Sequence, residues 1–286
     1  MTSSLTASPA PRAHLDADEL PLVSPEWIAK HLEDPDVCVV EVDVSPAAYE
    51  AGHIPGAILW DAYNDLRHAD YAPIDATRLQ SLLCRSGVSA DTTIIFYGYG
   101  AYLGFWLMKR YGHRRAQVMD GPRERWAQAG FHWSAAVPER GLGDFALAHE
   151  DTRVVAPRAM VQAAIGQPDA VLLDVRSAAE FSGKRFWPSG ATHDAGRVGH
   201  IPGALHLPCE LMRGQDGKLQ PSQRLRSLCE STGLGPERRV ITYCTIGNRA
   251  SQVWFALTYV LGYRKVCVYY GSWVEWGKQT GTPIET

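Results

Sequence analysis

Gly52-His53-Ile54-Pro55-Gly56-Ala57 returns 147 positions later (His53 to His200) as Gly199-His200-Ile201-Pro202-Gly203-Ala204. Six identical residues in the same order mark an internal repeat, and a repeat constrains the fold before any single motif does. Other landmarks keep the register. Pro25 pairs with Pro157, each opening a helix-like stretch, and Asp43 pairs with Asp174, each closing an apolar run. Tyr97 pairs with Tyr243, Gly121 with Gly271 and Trp126 with Trp276.

The copies are unequal. Asp43 to His53 is 10 residues but Asp174 to His200 is 26, which places a 16-residue insertion within 181–199. Tyr97 to Gly112 is 15 residues but Tyr243 to Gly262 is 19, so the first copy lacks four residues just after that strand. Within each copy, strand-like and helix-like pieces alternate. Apolar, β-branched runs predict strands at 37–44, 92–97 and 116–119, and at 172–175, 240–243 and 266–270. Helical patterns fill 25–32, 77–86 and 103–111, and 157–165, 223–232 and 249–261. Alternation of this kind predicts an α/β protein of two domains, each a mostly parallel sheet with helices on both faces. Residues 1–20, rich in Ser, Ala and Pro, read as a flexible tail. Residues 21–136 and 152–286 read as the domains, and 137–151, with Pro138, Gly141 and Gly143, as their linker.

A chain of 286 residues favours two domains on length alone. With 45% apolar and 21% charged residues it is not a disordered or collagenous chain. A net charge of −3 gives no reason to expect nucleic acid or an anionic membrane as partner. No run reaches the roughly 18 apolar residues of a spanning helix, and the N-terminus shows no secretory signal, so a cytoplasmic location is the expectation. The six cysteines include no CxxC pair and no zinc spacing, which suits reduced thiols.

The stretch Val240-Ile241-Thr242-Tyr243-Cys244-Thr245-Ile246-Gly247-Asn248-Arg249 carries the chemistry. An apolar strand ends, a cysteine follows at once, and a short loop feeds a helix. The sulfur then stands at the carboxyl end of a parallel strand, where open α/β sheets bind ligands. It also faces a helix N-terminus, whose N–H groups and dipole favour an anion, so Cys244 is expected to react as thiolate. Gly247 lets the backbone curl so that successive N–H groups converge. Arg249 adds a planar, cationic donor fork. Thr245, Ile246, Gly247, Asn248 and Arg249 thus form a candidate anion cradle around a candidate nucleophile.

With the repeated Gly-His-Ile-Pro-Gly-Ala turn, the strand-end Cys-x4-Arg loop and the terminal Gly271-Ser272-Trp273-Val274-Glu275-Trp276, the chain resembles the tandem-domain rhodanese family of sulfurtransferases over nearly its whole length. The resemblance implies two rhodanese-like domains, only the second catalytic. It also implies a Cys244 persulfide that takes sulfur from a small anionic donor and gives it to cyanide or a cellular thiol. No metal or organic cofactor is implied. Protein-tyrosine-phosphatase loops use Cys-x5-Arg; the loop here is one residue shorter, which suits a terminal sulfur better than a phosphate. Thiosulfate is the expected donor. Relatives that use 3-mercaptopyruvate carry a Cys-Gly-Ser-Gly-Val-Thr-like loop, which this is not. The alternatives are a 3-mercaptopyruvate sulfurtransferase and a sulfur-relay module that docks a protein partner. Glu180 stands near the expected place of a donor-binding arginine, so Lys184, Arg185 and Arg197 of the insertion are candidate rim residues in its stead.

Several tempting residues read as structural. His53 and His200 occur in both copies, yet only one copy has the cysteine, so they are expected to shape a turn. Cys38 and Cys267 lie in apolar strands, Cys84 and Cys229 occupy matching positions, and Cys209 reads as a further packing residue. Trp273 and Trp276 are expected to pack or line a cleft. In the first copy Gly98-Tyr99-Gly100-Ala101-Tyr102 replaces the loop without Cys or Arg, and is expected to be inert.

Overall fold

In the computed structural model, which describes residues 20–147 and 150–286, the two copies fold on one plan. All but the last residue of the expected N-terminal tail lie outside the described residues. The first domain runs β1 (Leu22–Val23), α1 (Pro25–Lys30), β2 (Val37–Asp43), α2 (Ala47–Ala51), β3 (Ile58–Asp61), α3 (Ala76–Arg85), β4 (Thr93–Tyr97), α4 (Ala101–Arg110), β5 (Ala116–Met119) and α5 (Arg125–Gln128). Its five strands pair in parallel in the order β1-β5-β4-β2-β3.

The second domain opens with a 3-10 turn (Thr152–Val154). It continues with α6 (Arg158–Ala164), β6 (Ala170–Asp174), α7 (Ala178–Phe181), β7 (Leu205–His206) and a 3-10 turn (Cys209–Met212). Then come α8 (Ser222–Ser231), β8 (Arg239–Tyr243), α9 (Asn248–Phe255) with a π-helical turn (Ala256–Val260), β9 (Val266–Val268) and α10 (Ser272–Lys278). Its sheet, order β7-β6-β8-β9, is also parallel, and a single bridge from Val155 to Val268 stands where the first domain has β1.

The strands alternate their residues between two cores. Cys38, Val40 and Val42 of β2 face one side and Val37 and Val39 the other. The same holds for Val171 and Leu173 against Leu172 in β6. The inner faces of both sheets share one continuous core, closed by α4 of the first domain against α9 of the second. Phe105 sits edge-on to Phe255 and Tyr259, with ring centroids 5.1 and 5.3 Å apart, and Tyr102 meets Phe255 at 5.0 Å. Residues 137–147 run back along α3, where Gly143 and Phe145 donate backbone N–H bonds to Cys84 and Val88.

Two readings of the repeat need correction. Tyr97 pairs with Glu41 across the sheet and Tyr243 with Asp174, so Glu41 and not Asp43 is the counterpart of Asp174. Both acids face the strand-end phenol, whose oxygen accepts the N–H of Ile54 or Ile201 at 3.1 Å. That bond ties each Gly-His-Ile-Pro-Gly-Ala turn to the middle of its sheet. The four extra residues after Tyr243 also do not all lie in the loop. Three residues (98–100) precede α4 and four (244–247) precede α9; the other three lengthen the helix, absorbed by the π-helical turn.

Candidate active site

β8 lies between β6 and β9, and the chain leaves β6 towards β7 before returning as β8. Cys244 follows β8 at that switch point, where ligand crevices form in such sheets. Its side chain is buried yet lines a cavity of about 560 Å³. The N–H of Gly247 donates to Sγ at 3.0 Å. Gly247 sits at φ 96°, and a Cβ there would lie 2.8 Å from the Tyr270 ring and 3.2 Å from Nη2 of Arg67. Only glycine meets both demands.

The first turn of α10 holds the other side of the loop. Cys244 donates its N–H to Ser272 Oγ (3.3 Å), its carbonyl accepts from Trp273 N–H (2.9 Å), and Thr245 O accepts from Val274 N–H (3.0 Å). The loop carbonyls are therefore engaged, while the N–H groups of Thr245, Ile246, Asn248 and Arg249 have no acceptor among the described residues. They begin α9, so the positive end of its dipole adds to them.

Arg249 does not stand as the free cation its spacing predicts. It grips Glu180 with two bonds, Nη1 to Oε2 at 2.8 Å and Nη2 to Oε1 at 2.7 Å. Thr245 Oγ1 donates to the same carboxylate at 2.7 Å and accepts from Arg249 Nη2 at 2.6 Å. Ser177 adds a bond through a capping box that starts α7. Burial would push Glu180 up, but the bonds and charge of Arg249, with Thr245 and Ser177, hold it at about 2. The residue in place of an arginine is thus a buried carboxylate that cancels Arg249 and locks the loop.

Nothing in the sequence flags Arg67, because its partners in the second domain are 179 and 203 residues away. It follows β3 in the first domain and is 1% exposed. Nη2 donates to the carbonyls of Ile246 and Tyr270 (the latter at 3.1 Å), Nη1 to Tyr71 O at 2.6 Å, and the guanidinium lies 4.5 Å over the Tyr270 ring. Tyr270 in turn donates its hydroxyl to Leu66 O at 2.7 Å. Burial pushes the Arg67 guanidinium below the usual arginine value.

The cavity is walled by both domains. Tyr63, Tyr71, Tyr99 and His68 come from the first, and Trp187 and His193 from the insertion. None of the three candidate rim residues lines it. Arg197 is consumed by the end of α10 and the turn after it, donating to carbonyls of Gly277, Thr282 and Gln279. Arg185 donates to Pro188 O at 2.9 Å, and Lys184 lies outside the lining. The insertion supplies aromatic wall in place of the expected cations.

The ring nitrogens of His53 lie 2.9 and 3.0 Å from the carbonyls of Tyr49 and Ala136, and His200 Nδ1 lies 2.9 Å from Phe181 O while its ring stacks on that of Phe181. Both hold their turns. Trp276 donates its indole N–H to Pro283 O as Trp126 does to His132 O, each at 2.9 Å. Cys38, Cys209 and Cys267 are buried, and burial pushes their thiols up to about 11, 12 and 12. Among the described residues no group of three His, Cys, Asp or Glu could hold a metal ion, and no helix is long and apolar enough to cross a membrane.

The family described as Rhodanese-like domain matches twice, over residues 24–129 and 158–279. The chain belongs to the rhodanese family. Among curated proteins it is 38% identical to one from Mycolicibacterium smegmatis named "Putative thiosulfate sulfurtransferase", covering 92% of this chain and 97% of that one. It is 36% identical to "Sulfur carrier protein TtuD" of Thermus thermophilus, over 92% and 95%. Among solved structures, a variant of EanB in complex with ergothioneine superposes with a TM-score of 0.83 at 25% identity, over 93% of this chain and 70% of that one. As a member of this family the chain is built of two α/β rhodanese-like domains.

Proposed function

We propose that the chain moves sulfane sulfur from thiosulfate to a thiol through a persulfide on Cys244. The observation that carries this reading is the Gly247 N–H on Sγ at 3.0 Å, in a loop whose remaining N–H groups are unspent. The Cys244 thiolate attacks the outer sulfur of thiosulfate; that S–S bond breaks and sulfite leaves with the electron pair. The loop N–H groups then stabilise the persulfide. An acceptor thiolate attacks the outer sulfur, and the Cys244 thiolate leaves with the second bonding pair. The two halves balance without an outside oxidant or reductant.

The name borne by the mycobacterial relative supports thiosulfate as donor. The cavity supports an organic acceptor: about 560 Å³ walled by Tyr63, Tyr71, Tyr99 and Trp187 exceeds what thiosulfate or cyanide would fill. The same room, and the Thermus relative named as a sulfur carrier, favour a second reading in which a partner's thiol collects the sulfur. Dephosphorylation fits less well, because the Glu180 carboxylate would repel a phosphate held by Arg249. Turnover with thiosulfate and with 3-mercaptopyruvate, each paired with cyanide and with an aromatic thiol, tests the assignment. Thiosulfate turnover abolished in Cys244→Ala is expected. Turnover with mercaptopyruvate alone would replace the donor, and phosphatase activity without persulfide would overturn the reading.

A further inference from the structure

The first domain lacks a cysteine in its own loop, yet it reaches into the second domain's loop with a buried charge. Among the described residues, Arg67 makes no ion pair with any carboxylate, and its Nε has no partner. A buried guanidinium without a counter-charge is costly unless an anion answers it. Its bond to the Ile246 carbonyl sets it beneath the turn whose next N–H, that of Gly247, touches the Cys244 sulfur.

We propose that Arg67 is the counter-charge of the Cys244 sulfur, so that the first domain completes the active site of the second. Arg67 is a positioning residue. It fixes the 244–247 loop through Ile246 O and supplies the positive potential that Arg249, cancelled by Glu180, does not. Of the other groups around the sulfur, Arg249 also acts on Cys244 but is ion-paired with Glu180, while the phenols of Tyr63 and Tyr99 and the thiol of Cys209 are uncharged. Glu275, which acts on Arg67 from α10, lies 3.8 Å from Arg158. The histidines of the cavity, His68 and His193, lie on its first-domain and insertion walls. The inference rests on Cys244 being the sulfur carrier, but its test does not require sulfur transfer.

The experiment compares alkylation of Cys244 by anionic iodoacetate and neutral iodoacetamide at one pH, read by mass spectrometry of the Cys244 peptide. The ratio of the two rates reports the potential at the sulfur and cancels changes in thiolate content. The wild-type ratio should exceed that of free glutathione by about tenfold, the scale of one nearby unit charge at a protein's effective dielectric. Arg67→Gln keeps a donor for Ile246 O but drops the charge, and should lower the ratio by about fivefold. Arg67→Lys should restore it to within about twofold of wild type. An unchanged ratio in Arg67→Gln would show that Arg67 only holds the loop. Should that variant not fold, a wild-type ratio at or below that of glutathione overturns the proposal by itself. Wild-type protein that shows the raised ratio but takes up no sulfur would sink the persulfide reading and leave Arg67's role standing.

Discussion

At the level of single residues the site is governed by which cation has a partner. Arg249 is the residue its spacing advertises, and Glu180 neutralises it; Arg67 is silent in the sequence and carries the uncancelled charge. Glu180→Gln should therefore lower the KM for thiosulfate about fivefold, because Arg249 regains its charge toward the donor. An unchanged or higher KM in a folded variant would show that the ion pair acts only on loop geometry. The same carboxylate makes a stability prediction. Its folded value of about 2 lies below the ordinary 4.5, so its contribution is fully present above pH 4.5 and is lost as pH falls towards 2. Acid unfolding followed by near-ultraviolet dichroism should be steeper across that window in wild type than in Glu180→Gln. Parallel curves would assign the low value to something other than folding.

For the elements, the loop works because two helices share its polar groups: α10 binds its carbonyls and α9 begins with its N–H groups. Gly247→Ala would force a side chain into φ 96° and into the Tyr270 ring, at a cost of about 1–3 kcal/mol. Chemical denaturation should show that loss together with slower sulfur uptake; full activity in Gly247→Ala would mean the turn tolerates another geometry. The strand–loop–helix order, most strand and helix spans and the place of Cys244 were legible, since β-branched runs and helical periodicity are local signals. The short elements β1, β3, β7, α2, α5, α7 and α10 were not read from the sequence, because tertiary contacts rather than a local pattern decide them. The Asp43–Asp174 pairing misled for a related reason. Register is fixed by cross-strand neighbours, which a linear alignment does not see.

Across the whole molecule, the repeat announced two domains, but their dependence on each other was not legible. Contacts such as Arg67 with Ile246 or Phe105 with Phe255 join residues over a hundred positions apart. The shared core predicts one cooperative unit. Phe105→Ala, which removes the ring between Phe255 and Tyr259, should cost about 3–5 kcal/mol and shift a single calorimetric transition. Two resolved transitions in wild type would show that the domains unfold independently. The insertion, too, was visible by length but not by use: Arg185 and Arg197 bond turn carbonyls, and Trp187 and His193 wall the cavity.

The central claim is that Cys244 carries the sulfur. Its most direct test is the mass of the Cys244 peptide after brief treatment with thiosulfate and removal of the donor. A gain of one sulfur atom, about 32 Da, on that peptide and on no other, reversed by a thiol, is the predicted result. No gain, or the same gain on another cysteine in Cys244→Ala, would contradict it.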